Sequence, residues 1–201
     1  MINGFGKSVG LVQVEELGVL ETPIALTNTF AVGAVAQAQI RQAIAANPET
    51  GRSLSTVNPL VFECNDGYLN DIQRLAIDEA HYRAACAAAG LEVAEGSVGA
   101  GRGMSSFGLK GGIGTASRRV TLPAQGEAKA AEYTVGALVL ANFGRLPQIT
   151  LCGDALGPTL AERLKNFEAA PPTLPDDPEK GSIILIVATD ELEDDLIVVG
   201  L

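Results

Sequence analysis

Pro178-Glu179-Lys180-Gly181-Ser182-Ile183-Ile184-Leu185-Ile186-Val187-Ala188-Thr189-Asp190 is the stretch on which the reading of this chain turns. A proline- and charge-rich segment runs into Gly-Ser and then directly into an apolar, β-branched run. That is the pattern of an exposed loop feeding a buried strand. A serine at the mouth of a core strand, preceded by a residue without a Cβ, is well placed to be a nucleophile. It is also an accessible place for a peptide bond to be cut. On these residues alone a loop-to-strand junction whose serine merely caps a turn is the plainer reading, so the rest of the chain has to separate the two.

Composition narrows the classes. With 201 residues, 47% of them hydrophobic, the chain can bury a proper core. Its longest apolar runs, 183–188 and 196–201, are strand-sized and too short for a membrane span. Residues 1–7 have neither the basic nor the apolar part of a signal peptide, which makes a cytoplasmic location the expectation. A formal charge of −10 would repel a phosphate backbone, so no nucleic-acid partner is expected. Three widely spaced cysteines, Cys64, Cys86 and Cys152, suit neither a disulfide framework nor a CxxC metal site. His81 is the single histidine and falls in a helical pattern, where an ordinary, partly exposed residue is the plainer reading. A Ser-His-Asp triad has only this one possible base, and a zinc site built on several histidines is excluded. A hydrolase here would have to activate its nucleophile by another route.

Along the chain, residues 9–15 alternate and then turn, reading as a strand and bend. Residues 22–27 read as a short strand with Pro23 at its start, where no ladder donor is needed. Asn28 or Thr29 can cap a helix over about 30–46, ended by Asn47-Pro48, with Phe30, Ala34, Val35, Ala38, Ile44 and Ala45 on one stripe. Residues 54–63 read as a strand running into the turn-rich 64–71. Asp78 can cap a helix that Gly90 would stop in the left-handed conformation. The glycines from Gly96 to Gly114 invite a phosphate-loop reading, which fails because Lys110 precedes Gly111 rather than Ser or Thr and no helix opens afterwards. Glycines at this density let a backbone approach a ligand or another strand closely. Strands follow at 113–122 and 133–143, with 148–152 as a hairpin mate of the latter, then a helical turn or two at 160–167. An exposed Pro/acidic linker spans 169–180, and an acidic and apolar tail spans 191–201. Strands interleaved with Ala-rich helices, without strict βαβ units, favour an α+β class with sheets layered against helices, in one domain over 1–201.

Five blocks occur in one order: Thr22-Pro23-Ile24-Ala25-Leu26-Thr27-Asn28-Thr29; Asp66-Gly67-Tyr68-Leu69-Asn70-Asp71; Phe107 to Arg118; Tyr133-Thr134-Val135-Gly136 with Ala141-Asn142; and Gly181-Ser182-Ile183-Ile184 with Val187-Ala188-Thr189-Asp190. As a set they resemble the DmpA-type self-processing aminopeptidases, a group that includes L-aminopeptidase D-amidase/D-esterases and β-peptidyl aminopeptidases. The resemblance implies an αββα sandwich of the N-terminal-nucleophile kind and a precursor cut between Gly181 and Ser182. Ser182 then becomes the N-terminal nucleophile. It also implies no cofactor, no metal, a homo-oligomer, and substrates that are small peptides, amides or esters with a free amino end.

By the same analogy Asn142 is the oxyanion-hole residue and Tyr68 the active-site tyrosine that orients the nucleophile or the tetrahedral oxygen. Glu63 is a weaker choice for the carboxylate that holds the substrate amine. Read without the family, Asn142 suits a strand-end turn with Gly144, Tyr68 a packing role, and Glu63 a solvated strand end. Lys110 is expected to pair with an acidic neighbour. The family's precursors start upstream of this Met1 and run beyond Asp190, where Ala-Pro-Leu is usual and this chain has Glu191-Leu192-Glu193. A further Ser and Glu that assist the nucleophile in the family have no counterpart here. One alternative is therefore a catalytically incomplete remnant that works only as an oligomer or a complemented subunit. A lower-ranked one is the ornithine-acetyltransferase type, which cuts before Thr, whereas this junction carries Ser182.

Overall fold

The computed structural model describes residues 6–123, 131–165 and 181–190, together with the backbone of 196–200. The expected linker at 169–180 and the first part of the tail, 191–195, lie outside the described residues. In chain order the elements are α1 (Leu11–Leu17), β1 (Ile24–Asn28), α2 (Val32–Ala46), β2 (Leu60–Cys64), α3 (Glu79–Ala88), β3 (Ser105–Ser106), β4 (Leu109–Lys110), β5 (Gly112–Leu122), β6 (Ala131–Asn142), β7 (Thr150–Leu151), β8 (Asp154–Ala155), α4 (Gly157–Leu164), β9 (Ser182–Thr189) and β10 (Leu196–Gly200). The mixed α+β class is as the sequence predicts. No helix among the described residues is long and apolar enough to cross a membrane.

β2 is where the layers meet. It pairs in parallel with β1, from Ile24 opposite Leu60 to Asn28 opposite Cys64. Its side chains alternate between two cores, as a strand with both faces covered requires. Val61 packs under α2 and α3 with Val35, Ala38 and Tyr82. Leu60, Phe62 and Cys64 point the other way and join Met104, Leu140 and Ile184. Those last residues belong largely to a four-stranded antiparallel sheet of order β10-β9-β6-β5. The result is helices, then a parallel pair, then an antiparallel sheet. Burying each such large side chain contributes about 1.5–3 kcal/mol.

The α2 start is capped as expected, with Asn28 Oδ1 accepting the Ala31 N–H at 3.0 Å. Its buried face is rotated from the expected stripe. Val32, Val35, Ala36, Ala38 and Gln39 face inward, while Phe30 is 52% exposed and Ile44 43%. Phe30 belongs to a 3₁₀ turn, Thr29–Ala31, whose tighter winding puts it out of phase with the helix that follows. Gln39 replaces an apolar residue on that face and stitches the parallel pair: Nε2 donates to the carbonyls of Pro23 (2.7 Å) and Leu60 (3.2 Å), and Oε1 accepts the Leu60 N–H (2.9 Å).

Four expected elements differ. Residues 9–18 form α1 rather than a strand and bend. Gly10, at φ +92°, turns the chain after Val9 has made its single bridge to Val61, and Leu11 and Val14 then pack one helical turn apart on the inter-sheet core. The second strand is only Leu60–Cys64, because Pro59 brings no N–H to a ladder and Leu54 is half exposed. α3 ends through an extended Ala89 whose N–H reaches the Cys86 carbonyl at 3.3 Å, not through a left-handed Gly90. Leu91 beyond it is fully exposed, so no apolar contact holds a left-handed cap. Residues 150–151 pair with 154–155 instead of with the strand at 133–143, because β6 already has β5 on one side and β9 on the other.

The glycine-rich segment brings backbones together, as its composition suggests. A Cβ on Gly112, where φ is +150°, would stand 2.1 Å from the Gly96 carbonyl oxygen. That oxygen cannot retreat cheaply, since it accepts the N–H groups of Val98 and Ile113, both at 3.0 Å. Gly112→Ala is expected to destabilise the fold by about 3–5 kcal/mol, read from the shift of the urea midpoint. Gly136→Ala, where the nearest atom to a new Cβ is 4.0 Å away, is the matched control and should be close to neutral.

Candidate active site

The two residues with the strongest expectations from sequence are cross-strand neighbours. In the β6–β9 ladder Asn142 pairs with Ser182, and two residues further in Leu140 pairs with Ile184. Side chains two apart share a face. Leu140 and Ile184 are buried in the inter-sheet core. Asn142 and Ser182 therefore open from the same face, where that core meets the strand ends, and both are half-buried.

The Asn142 amide has a single workable orientation. Its Oδ1 accepts the Ser105 N–H at 3.0 Å, and its Nδ2 donates to the Asn65 carbonyl at 2.8 Å and to Ser182 Oγ at 3.2 Å. A flipped amide would set NH₂ against N–H and oxygen against oxygen, losing both backbone bonds. The donor is thus held toward the serine hydroxyl by groups that do not move with it. This is a preorganised dipole of the kind that favours developing negative charge on oxygen.

Gly181 is a glycine for a steric reason. A Cβ there would lie 2.7 Å from Phe143 Cβ and 2.9 Å from Phe143 Cα, so only glycine lets the chain enter β9 past the end of β6. Phe143 is itself gripped by the β3–β4 hairpin. Its carbonyl accepts the Phe107 N–H (2.8 Å) and the Ser106 hydroxyl (3.1 Å), and the two phenyl rings meet edge to face at 5.2 Å.

Cys64, the last residue of β2, and Asn65 after it complete the mouth of the site, and no pattern in the sequence singles them out. The Asn65 carbonyl holds Asn142, and the Cys64 thiol donates to the Leu140 carbonyl at 4.0 Å and lies beside Ser182. Burial pushes this thiol up to about 11, the Ser182 contact works in the opposite direction, and the nearby Glu63 charge raises it further. Because the folded-state value lies above the ordinary 9.0, this group favours the folded state below that value. Its contribution fades as pH rises from about 9 to 11. The neutral thiol is also unreactive. At pH 8, iodoacetamide followed by peptide mass mapping should modify the exposed Cys152 first and leave Cys64 untouched until the protein is unfolded.

Tyr68 lies in the turn that follows, 39% exposed, three residues beyond the carbonyl that holds Asn142. That turn is pinned by Asp66, whose carbonyl accepts the Leu69 and Asn70 N–H groups at 3.1 and 2.9 Å, and whose Oδ2 accepts from Asn70 Nδ2 at 2.7 Å. Glu63 points to the opposite face of β2 from Cys64. Its carboxylate accepts the Thr29 hydroxyl and the Lys7 N–H, the latter at 3.1 Å. Both of its oxygens are thus engaged within the protein. Among the described residues, Lys110 forms no ion pair with a carboxylate. Its ammonium donates to the carbonyls of Gly101 (2.8 Å), Met104 (3.1 Å) and Gly111 (2.8 Å), and desolvation there lowers its pKa. His81 stands away from the site in the capping box of α3, its Nδ1 2.7 Å from Asp78 Oδ1.

A serine hydroxyl thus faces an oriented amide donor at the head of β9, directly after a glycine. The chain belongs to peptidase family S58, whose profile matches residues 1–194. It is 40% identical over 194 residues to a β-peptidyl aminopeptidase, BapA, of Sphingosinicella microcystinivorans, and 37% identical to that of Sphingosinicella xenopeptidilytica. In each case 94% of this chain and 46% of the relative are covered, so the chain spans about half the length of the relatives it matches. Among solved structures it is similar to the PH0078 protein of Pyrococcus horikoshii OT3, with a TM-score of 0.78 at 44% identity, covering 94% of this chain and 48% of that one. A Burkholderia sp. β-aminopeptidase matches with a TM-score of 0.75 at 39% identity, covering 94% and 47%. So does the L-aminopeptidase D-Ala-esterase/amidase of Ochrobactrum anthropi, described as a variant of the Ntn hydrolase fold, at 0.75 and 32% identity, covering 94% and 48%. At these identities the shared fold is that of the DmpA-type aminopeptidases, as the sequence blocks imply.

Proposed function

We propose that this chain is a serine-type, self-cleaving aminopeptidase that releases N-terminal residues from short peptides, amides or esters with a free amino end. The observation that carries the reading is the Asn142 Nδ2–Ser182 Oγ contact of 3.2 Å at the head of β9, directly after Gly181. Membership of a peptidase family and relatives named as aminopeptidases support the substrate class.

In this reading Ser182 Oγ attacks the Gly181 carbonyl carbon. The C–N bond breaks, the nitrogen takes the hydroxyl proton, and the Gly181 acyl group is carried as an ester on Ser182. Water then cleaves the ester, giving a Gly181 carboxylate, a free Ser182 hydroxyl and a free α-amine. An α-amine titrates at about 7.7–8.0 when unperturbed, so it can act as the local base for the next acyl transfer, and no histidine is required. Asn142 supplies the donor toward the reacting oxygens, and Tyr68 is a second hydroxyl in the adjoining turn. A homo-oligomer in the cytoplasm belongs to the same reading. Intact-mass analysis of the purified protein should give two pieces whose masses sum to the chain plus one water, the smaller beginning at Ser182. Turnover of an aminoacyl p-nitroanilide should accompany the break. A single full-length species without turnover would refute the proposal.

A further inference from the structure

Asn142 is useful only while its amide stays aimed, and the aim is set by two backbone groups, the Asn65 carbonyl and the Ser105 N–H, of which Ser105 is the one in a weakly structured segment. Ser105 sits in a segment of little intrinsic rigidity: the 3₁₀ turn Gly99–Gly103 precedes it, and Gly108, Gly111 and Gly112 follow. Its own ladder is two residues long, with Ser105 opposite Lys110 and Ser106 opposite Leu109. A pair so short does not hold its own position. The Ser106 hydroxyl and Phe107 N–H tie the hairpin tip to the Phe143 carbonyl, the Gly111 N–H reaches the Met104 carbonyl at 2.8 Å, and the Lys110 side chain folds back across the base of the segment. Its three ammonium donors reach Gly101 and Met104 on one side of Ser105 and Gly111 on the other. Met104 is fully buried against Leu140 and Ile184 in the inter-sheet core. The ammonium thus ties the hairpin to the layer that carries Ser182.

We infer that Lys110 is a positioning residue for Asn142, its ammonium fixing the chain on both sides of Ser105 so that the Ser105 N–H keeps the Asn142 amide directed at Ser182. Three carbonyls converging on one point suit a compact ammonium with three donors and nothing longer. A planar guanidinium cannot reproduce the arrangement. The inference rests on the reading of Ser182 and Asn142 given above.

The test is a double-mutant cycle in the full chain, following the rate of the break before Ser182 and kcat and KM on an aminoacyl p-nitroanilide. Lys110→Met should slow the break and lower kcat by about tenfold to a hundredfold, the scale of a misplaced catalytic group, with KM unchanged. In an Asn142→Ala background the same change should cost nothing further, because Lys110 acts only through that amide. Methylammonium should restore part of the rate to Lys110→Ala. Lys110→Arg, which keeps the charge, should follow Lys110→Met in the cycle and serves in its place should that variant fail to fold. Additive losses, a rise in KM with kcat preserved, or an unchanged rate for both Lys110→Met and Lys110→Arg would overturn the inference. Should Asn142→Ala itself retain full activity, the underlying reading of the site falls first, and that outcome is distinguishable from the others.

Discussion

Ser182→Ala is expected to leave a single, uncut chain and to reduce turnover of aminoacyl p-nitroanilides to background, a loss on the order of 10⁴-fold to 10⁶-fold. The substitution removes one oxygen and little else. Ser182 is half-buried at the first position of β9, its backbone pairs with Asn142, and the alanine methyl fits where Cβ already lies. The change in stability should stay within about 1 kcal/mol, so an unaltered urea midpoint beside a vanished break would separate chemistry from folding. Ser182→Thr keeps a hydroxyl and adds a methyl beside Cys64, and it should cut slowly rather than not at all. A Ser182→Ala chain that still breaks before residue 182 would show that another protease does the cutting.

Asn142→Ala should lower both self-cleavage and kcat by about 10²-fold to 10³-fold, the usual cost of removing one oriented donor from developing negative charge. It should also lower stability. The Ser105 N–H and the Asn65 carbonyl lose their partner together, and stranding such groups costs about 1–3 kcal/mol each unless water reaches them. Rates are therefore to be compared well below the thermal midpoint of the variant. Asn142→Asp sharpens the distinction. It keeps an oxygen for the Ser105 N–H but turns a second oxygen toward Asn65 and Ser182, so it should be at least as poor a catalyst as the alanine variant. A full rate for either substitution would remove Asn142 from the reaction.

Much of this arrangement is legible in the chain because its signals are local. The apolar run after Ser182, the alternation of 113–122 and the Asn28 cap each carry their own periodicity or hydrogen bond, and those elements lie where expected. Residues 9–18 mislead because Val9, Leu11 and Val14 fit a loose alternation as well as a helical stripe, and only the turn at Gly10 decides between them. Ser182 and Asn142 could be singled out by the order of the five blocks, but their contact depends on the β6–β9 register, which no local pattern specifies. Cys64 carried no signal of its own. A buried thiol at a strand end looks like packing until the strand beside it is known to begin with Ser182. Lys110 misleads for a related reason. A lysine is expected to seek a carboxylate, and three converging backbone carbonyls are visible only once the glycines around it have folded.

β9 lies between two neighbours, β6 on one side and β10 on the other. A break in front of Ser182 would therefore sever the covalent chain without releasing either piece. Eight residues of the new fragment stay laddered to β6, from Asn142–Ser182 to Val135–Thr189. Two bands on a denaturing gel should accordingly coelute as one particle under native conditions, and exchange of the small piece between particles should be as slow as unfolding itself. The newly freed amine, unlike the mobile terminus of an ordinary chain, would be born at a fixed address.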